Sequence, residues 1–109
     1  MDRFKFRVWN DNDMYYCDLG VQLSKIEQNL ATFVHGKKMQ CTGLKDKDNR
    51  LIYEGDFISI DFQEYVVEWN DEGAFFLGNL NWGESKDIYL AAEGQVIGNI
   101  HENPELLQN

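Results

Sequence analysis

Cys17, His35, Cys41 and His101 are the side chains of this sequence best suited to a transition metal. Zinc sites usually take their ligands in close pairs such as Cys-x-x-Cys, because a single turn then fixes two of them. The intervals here are long and irregular, so the spacing assigns no metal centre. Either cysteine beside His35 would have the composition of a nucleophile and its base, yet no activating context surrounds them. Both cysteines read as reduced small hydrophobes. Asp11-Asn12-Asp13 and Asp46-Lys47-Asp48-Asn49 offer oxygens for calcium. Neither run continues with the Gly and the distant Glu of a calcium loop, and Lys45, Lys47 and Arg50 oppose a cation. Both read as turns.

Other catalytic patterns are absent from the sequence. It has no Gly-x-Ser-x-Gly, no phosphate loop and no Gly-x-Gly-x-x-Gly. Residues 51–109 hold twelve Asp and Glu, enough for two to approach by chance, so abundance alone assigns no acid–base pair. Glu54-Gly55-Asp56 reads as a structural corner, with Gly supplying a positive φ and Asp accepting turn amides. Trp69 to Phe76, two aromatic strands around an acidic turn, reads as hairpin and core. No catalytic, cofactor-binding or metal residue is assigned, and no cofactor is expected.

Charge says more. The net of −9 divides into +2 for residues 1–50, with nine Lys/Arg against seven Asp/Glu, and −11 for residues 51–109, where Lys86 stands against twelve acids. An acidic half of that density repels phosphate backbones, which argues against direct nucleic-acid binding. The basic residues form a modest strip: Arg3, Lys5 and Arg7 alternate, and Lys37, Lys38, Lys45, Lys47 and Arg50 follow. Solubility accounts for much of the acidity. A basic protein partner, or pairing between unlike halves of two copies, uses the rest. Fifteen aromatic residues exceed what one small core holds, so some are expected on a contact surface. No run approaches the ~20 apolar residues that span a bilayer, and Met1 to Arg7 lacks a signal peptide's apolar stretch. A cytoplasmic protein without a membrane contact is expected.

These residues must be carried by strands. Phe4 to Val8 alternates apolar and basic side chains, and Asn10 to Asp13 turns the chain into Met14-Tyr15-Tyr16-Cys17, a hairpin. Leu19 to Gly36 is ambiguous. Ser24-x-x-Glu27 has capping-box spacing, with Leu23, Ile26 and Leu30 at helical intervals, whereas Ala31 to Val34 reads as strand. Further strands are predicted at Met39–Thr42, ending at Gly43, and at Ile52-Tyr53, Phe57–Phe62, Tyr65–Trp69, Ala74–Leu77, Ile88–Leu90 and Gln95–Ile100. Asp48-Asn49 is placed at the positive-φ positions of a tight hairpin. Asn103-Pro104-Glu105 begins a final helical turn that would dock Leu106 or Leu107. The expected fold is mainly β: a small β-barrel, SH3-like or similar, with an N-terminal β-hairpin region and at most two short helices. Residues 1–109 form one domain, with a possible subdivision into 1–40 and 41–109.

The run Met39-Gln40-Cys41-Thr42-Gly43-Leu44-Lys45-Asp46-Lys47, followed by Ile52-Tyr53-Glu54-Gly55-Asp56, resembles the signature of the YopX family of phage and prophage proteins. So do Lys5-Phe6-Arg7-Val8-Trp9, Tyr65-Val66-Val67-Glu68-Trp69 with Gly73-Ala74-Phe75-Phe76, and the closing Val96 to Leu107. Two positions depart from the pattern: Asp48-Asn49 replaces Asn-Gly, and Cys41 stands where an aromatic is usual. The resemblance implies a phage or prophage origin and a mostly β fold with a small barrel, and it carries no specific activity.

The functional expectation is a non-enzymatic accessory protein that binds a protein partner through an acidic and aromatic β surface. The alternative is a small-ligand binder or enzyme with a carboxylate-lined pocket. The charge split also predicts a homo-oligomer. Sedimentation at micromolar protein should show an assembly that weakens as salt screens it. A clean monomer at low salt would exclude it.

Overall fold

The alternation from Lys5 onward becomes β1 (Lys5–Trp9), and Met14–Asp18 returns beside it as β2, Trp9 opposite Met14. The link is held by Asn10, whose Oδ1 accepts the N–H of Asn12 at 3.0 Å and of Asp13 at 2.8 Å. The computed structural model describes residues 5–18, 35–81 and 83–108. The ambiguous stretch containing Ser24 and Glu27 lies almost wholly outside them, as do Arg3 and Trp82.

β3 (Lys37–Lys45) pairs with β1 through its first half and with β4 (Leu51–Tyr53) through its second, giving an antiparallel sheet of order β2-β1-β3-β4. Gly43 was expected to end this strand, but β3 continues through it as a bulge at φ +84°. Thr42 makes that possible: its hydroxyl donates to Ile52 O at 2.8 Å and accepts the Leu44 N–H at 3.1 Å. At the β3–β4 turn only Asn49 of the Asp48-Asn49 pair takes a positive φ, +66°. Asp46 N–H bonds Arg50 O, and Asn49 N–H bonds Asp46 O, so this is a type I turn followed by one left-handed residue.

β5 (Asp56–Ile60), β6 (Gln63–Trp69), β7 (Phe75–Asn79), β8 (Lys86–Asp87) and β9 (Gln95–Asn99) form a second antiparallel sheet, ordered β8-β7-β6-β5-β9. Three expectations change here. The strand predicted to reach Phe62 stops at Ile60, and Asp61 (φ +48°) with Phe62 (φ +68°) makes the two-residue turn into β6. Ile88-Tyr89-Leu90 is not a strand. The Asp87 carboxylate accepts the Tyr89 N–H at 2.9 Å and starts a 3₁₀ helix over Ile88–Glu93, a local cap that outweighs the β preference of Ile and Tyr. And the two sheets do not close into a barrel: β2 and β4 are the edges of one, β8 and β9 of the other, among the described residues. The C-terminal segment behaves as expected, with a 3₁₀ helix over Pro104–Gln108 in which Leu106 is half-buried and Leu107 exposed.

Between Tyr53 and Asp56 the chain leaves one sheet for the other. Gly55 there has φ +87°. Its N–H bonds Val67 O at 2.9 Å, and its carbonyl accepts the Ile100 N–H at 3.0 Å. These bonds carry the β5–β6 and β5–β9 pairings up to the corner itself. Packing completes the join. Ile52 from β4 is buried with Ile58, Tyr65, Val67, Leu77, Ala91 and Val96, so one core serves both sheets. Each such side chain contributes about 1.5–3 kcal/mol on burial.

Replacing Gly55 by Ala strains a left-handed backbone and sets a Cβ 3.3 Å from both Ile100 Cγ1 and Met39 Sδ. Gly55→Ala should therefore destabilise the protein by about 1 kcal/mol or more, read as a lower denaturant midpoint. An unchanged midpoint would remove Gly55 from this account.

Candidate functional site

Asp56 follows Gly55 immediately, and its burial to 2% exposure determines what must surround it. One carboxylate oxygen sits 2.8 Å from Arg7 Nη2, and the other accepts the Tyr53 N–H at 2.8 Å. The same Arg7 nitrogen donates to Glu54 O at 3.1 Å, and the guanidinium lies 4.9 Å over the Tyr53 ring. Arg7 therefore reaches from β1 to clamp the corner that joins the sheets. Burial raises the Asp56 carboxyl above its ordinary value, outweighing the opposing pull of Arg7 and of the Tyr53 amide. Burial likewise pushes the Tyr53 phenol up to about 12, helped by Cys41 and Tyr16.

Beside this clamp lies a cavity of about 520 Å³. Arg7, Tyr53 and Asp56 are its buried residues; Lys5 and Leu51 are half-buried, and Tyr16, Lys45, Asn49 and Arg50 are exposed. Tyr16 stands edge-on to Tyr53, with ring centroids 5.5 Å apart.

β3 also contributes to a second concavity. Thr42 and Leu44 line a groove of about 300 Å³ with Ala74, Phe75, Asp87, Ile88 and Tyr89. Phe75 packs edge-on against Trp69 at 4.6 Å, extending the groove's aromatic surface to that ring. Tyr89 is 72% exposed and Trp69 49%. The turn from Asn70 to Ala74, which links Trp69 to Phe75, carries exposed Asp71 and Glu72. Its shape follows from Asn70, whose Oδ1 accepts the N–H of Glu72 at 2.9 Å and of Ala74 at 3.0 Å.

The residues first considered for metal or nucleophile chemistry are scattered. Cys41 is fully buried on β3 and Cys17 is half-buried on β2, and the two are not joined in a disulfide. His35 is exposed ahead of β3. His101 stacks on Trp9 at 5.6 Å, and burial with nearby Lys37 and Arg7 lowers its pKa. Among the described residues no three His, Cys, Asp or Glu gather as a metal site. Asp46, weighed above as a calcium ligand, is 5% exposed and accepts three N–H groups: Asp48 and Arg50 on one oxygen, Val96 on the other at 2.8 Å. It ties the β3–β4 turn to β9. Sequence reasoning missed both Arg7 as a structural donor and Asp46 as a structural acceptor, because each reads as one more charge in an exposed alternation or turn.

A family model described as YopX protein matches residues 5–108, nearly the whole chain. No curated protein matches it. Among the described residues no helix is long and apolar enough to cross a membrane.

Arg7→Met should cost about 3–5 kcal/mol, since it leaves Asp56 buried without its counter-ion. Adding Asp56→Asn, which keeps an acceptor for the Tyr53 N–H, should recover part of that loss. Equal denaturation midpoints for single and double variants would show that the pair is not coupled.

Proposed function

The chain belongs to the YopX family, and we propose that it is a non-enzymatic binding protein whose aromatic, acid-rimmed groove takes an Arg- or Lys-bearing segment of a protein partner. The observation that carries this reading is the exposure of Tyr89 and Trp69 on either side of Phe75, with Asp87 in the groove and Asp71 and Glu72 on the turn that links Trp69 to Phe75. Large aromatics held at 72% and 49% exposure cost hydration free energy that partner contact would recover. Ring faces attract guanidinium and ammonium groups, and nearby carboxylates add charge complementarity. In this reading the protein is a phage or prophage accessory factor acting in the cytoplasm.

The reading of an enzyme or ligand binder with a carboxylate-lined pocket has less support. The two concavities hold a single carboxylate each, Asp56 in one and Asp87 in the other, and Asp56 is already spent on Arg7 and the Tyr53 amide. Self-association has one specific argument in its favour. Neighbouring residues of β3 serve surfaces of opposite character, Lys45 the cation-lined cavity and Leu44 the acid-rimmed groove. A second copy would meet complementary charge.

Fluorescence anisotropy with a labelled Arg-rich peptide, beside an Asp/Glu-rich control, tests the groove. The basic peptide should bind and the acidic one should not. Tyr89→Ala and Trp69→Ala should each weaken binding by about tenfold, the loss of a contact worth somewhat over 1 kcal/mol. Equal affinity in wild type and both variants would rule out the groove as the contact surface.

A further inference from the structure

The cavity beside the Arg7–Asp56 clamp concentrates positive charge in a protein of net −9. Among the described residues Lys5, Arg7, Lys45 and Arg50, four of the chain's ten Lys and Arg, line it beside the Asp56 carboxylate. That carboxylate is occupied by Arg7 and the Tyr53 N–H. Like charges gathered around one concavity repel each other, and the arrangement gains stability when an anion enters.

A second observation points the same way. Arg7 is 2% exposed, and its Nε has no hydrogen-bond partner among the described residues and no contact with bulk water. A buried, charged N–H left without an acceptor is costly, and it leaves the guanidinium beside the cavity under-satisfied. The remaining walls suit an organic group. The Tyr16 ring is 57% exposed and stands edge-on to Tyr53, whose phenol keeps its proton and so remains a donor at neutral pH.

We propose that this cavity binds a small phosphate monoester, its dianion held by Arg50 and Lys45 above the Arg7 guanidinium and its organic part against Tyr16. Phosphate fits better than a monocarboxylate, because several cations surround one cavity and three terminal oxygens serve them together with the guanidinium forks. The volume, about 520 Å³, is that of a small-molecule site. A long polyanion would have to pass the twelve carboxylates of residues 51–109. This site does not depend on the groove described above, and either can fail without the other.

Titration calorimetry on the full chain, with inorganic phosphate, ribose 5-phosphate, adenosine 5′-monophosphate and a single-stranded oligonucleotide as probes, tests it. The two monoesters should bind more tightly than inorganic phosphate, and adenosine monophosphate the more tightly of the two if the base stacks on Tyr16. Lys45→Met with Arg50→Met, both exposed positions, should weaken monoester binding by about tenfold or more through lost charge-assisted hydrogen bonds. Their denaturation midpoint should stay that of the wild type, and Tyr16→Ala should weaken the esters while sparing inorganic phosphate. Absence of monoester binding at millimolar concentration, or affinity unchanged in the double variant, would overturn the proposal. So would an oligonucleotide that binds more tightly than the mononucleotide, which would make the cavity part of a nucleic-acid surface.

Discussion

One buried ion pair holds the two sheets of this protein at their seam. Arg7 lies on β1, Asp56 opens β5, and between them the chain turns through Gly55. A carboxylate that deep would be expelled without a counter-charge, and a guanidinium that deep needs acceptors, so each residue requires the other. Hydrophobic replacement of such a pair is often no less stable, so energy alone does not explain its place here. What the pair adds is geometry. By binding Glu54 O and Asp56 together, Arg7 fixes the angle at which the second sheet leaves the first. The same clamp lines the neighbouring cavity, so the fold's seam and this cation-lined concavity are one construction.

Much of the remaining polar chemistry terminates strands. Asn10, Asp46, Asn70 and Asn99 each turn a side-chain oxygen onto two or more backbone N–H groups just beyond a strand end. Asp46 and Asn70 do so at the same offsets, two and four residues ahead, and each turn has its left-handed residue three positions on, Asn49 and Gly73. Part of the Asp and Asn content is thus turn chemistry. Asp46 goes further, because its second oxygen reaches Val96 and docks the first sheet's hairpin on the second sheet's edge strand. All the N–H groups that Asp46 accepts belong to the backbone, so its carboxylate is a structural acceptor.

The exposed aromatics divide by position. Trp69 and Tyr89 border a concavity with Phe75 between them, whereas Phe62 is fully exposed at a turn tip with φ +68°. A Phe in that conformation, where Asn-Gly would be easier, is strained and unburied at once. Nothing else in the structure accounts for its choice.

The sequence by itself determined the local elements that depend on neighbours along the chain. The period-2 runs became β1, β6 and β9, the Asn10, Asn49 and Asn70 turns formed where turn residues cluster, and Glu54-Gly55-Asp56 was legible as a corner because only Gly adopts its φ cheaply. Local chemistry also misled where two local preferences compete: the Asp87 cap defeated the β preference of Ile88 and Tyr89, and Thr42 carried β3 through Gly43. Tertiary structure alone decided whether the sheets closed, since closure depends on edge strands distant in the chain meeting in register. It also decided the partners of Arg7 and Asp46, 49 and 50 residues away in the chain. Charge patterns record sign and spacing along the strand. Whether a given charge faces water or is buried against an opposite one is set by the packing of distant segments, and that is where this protein's cavity and groove were made.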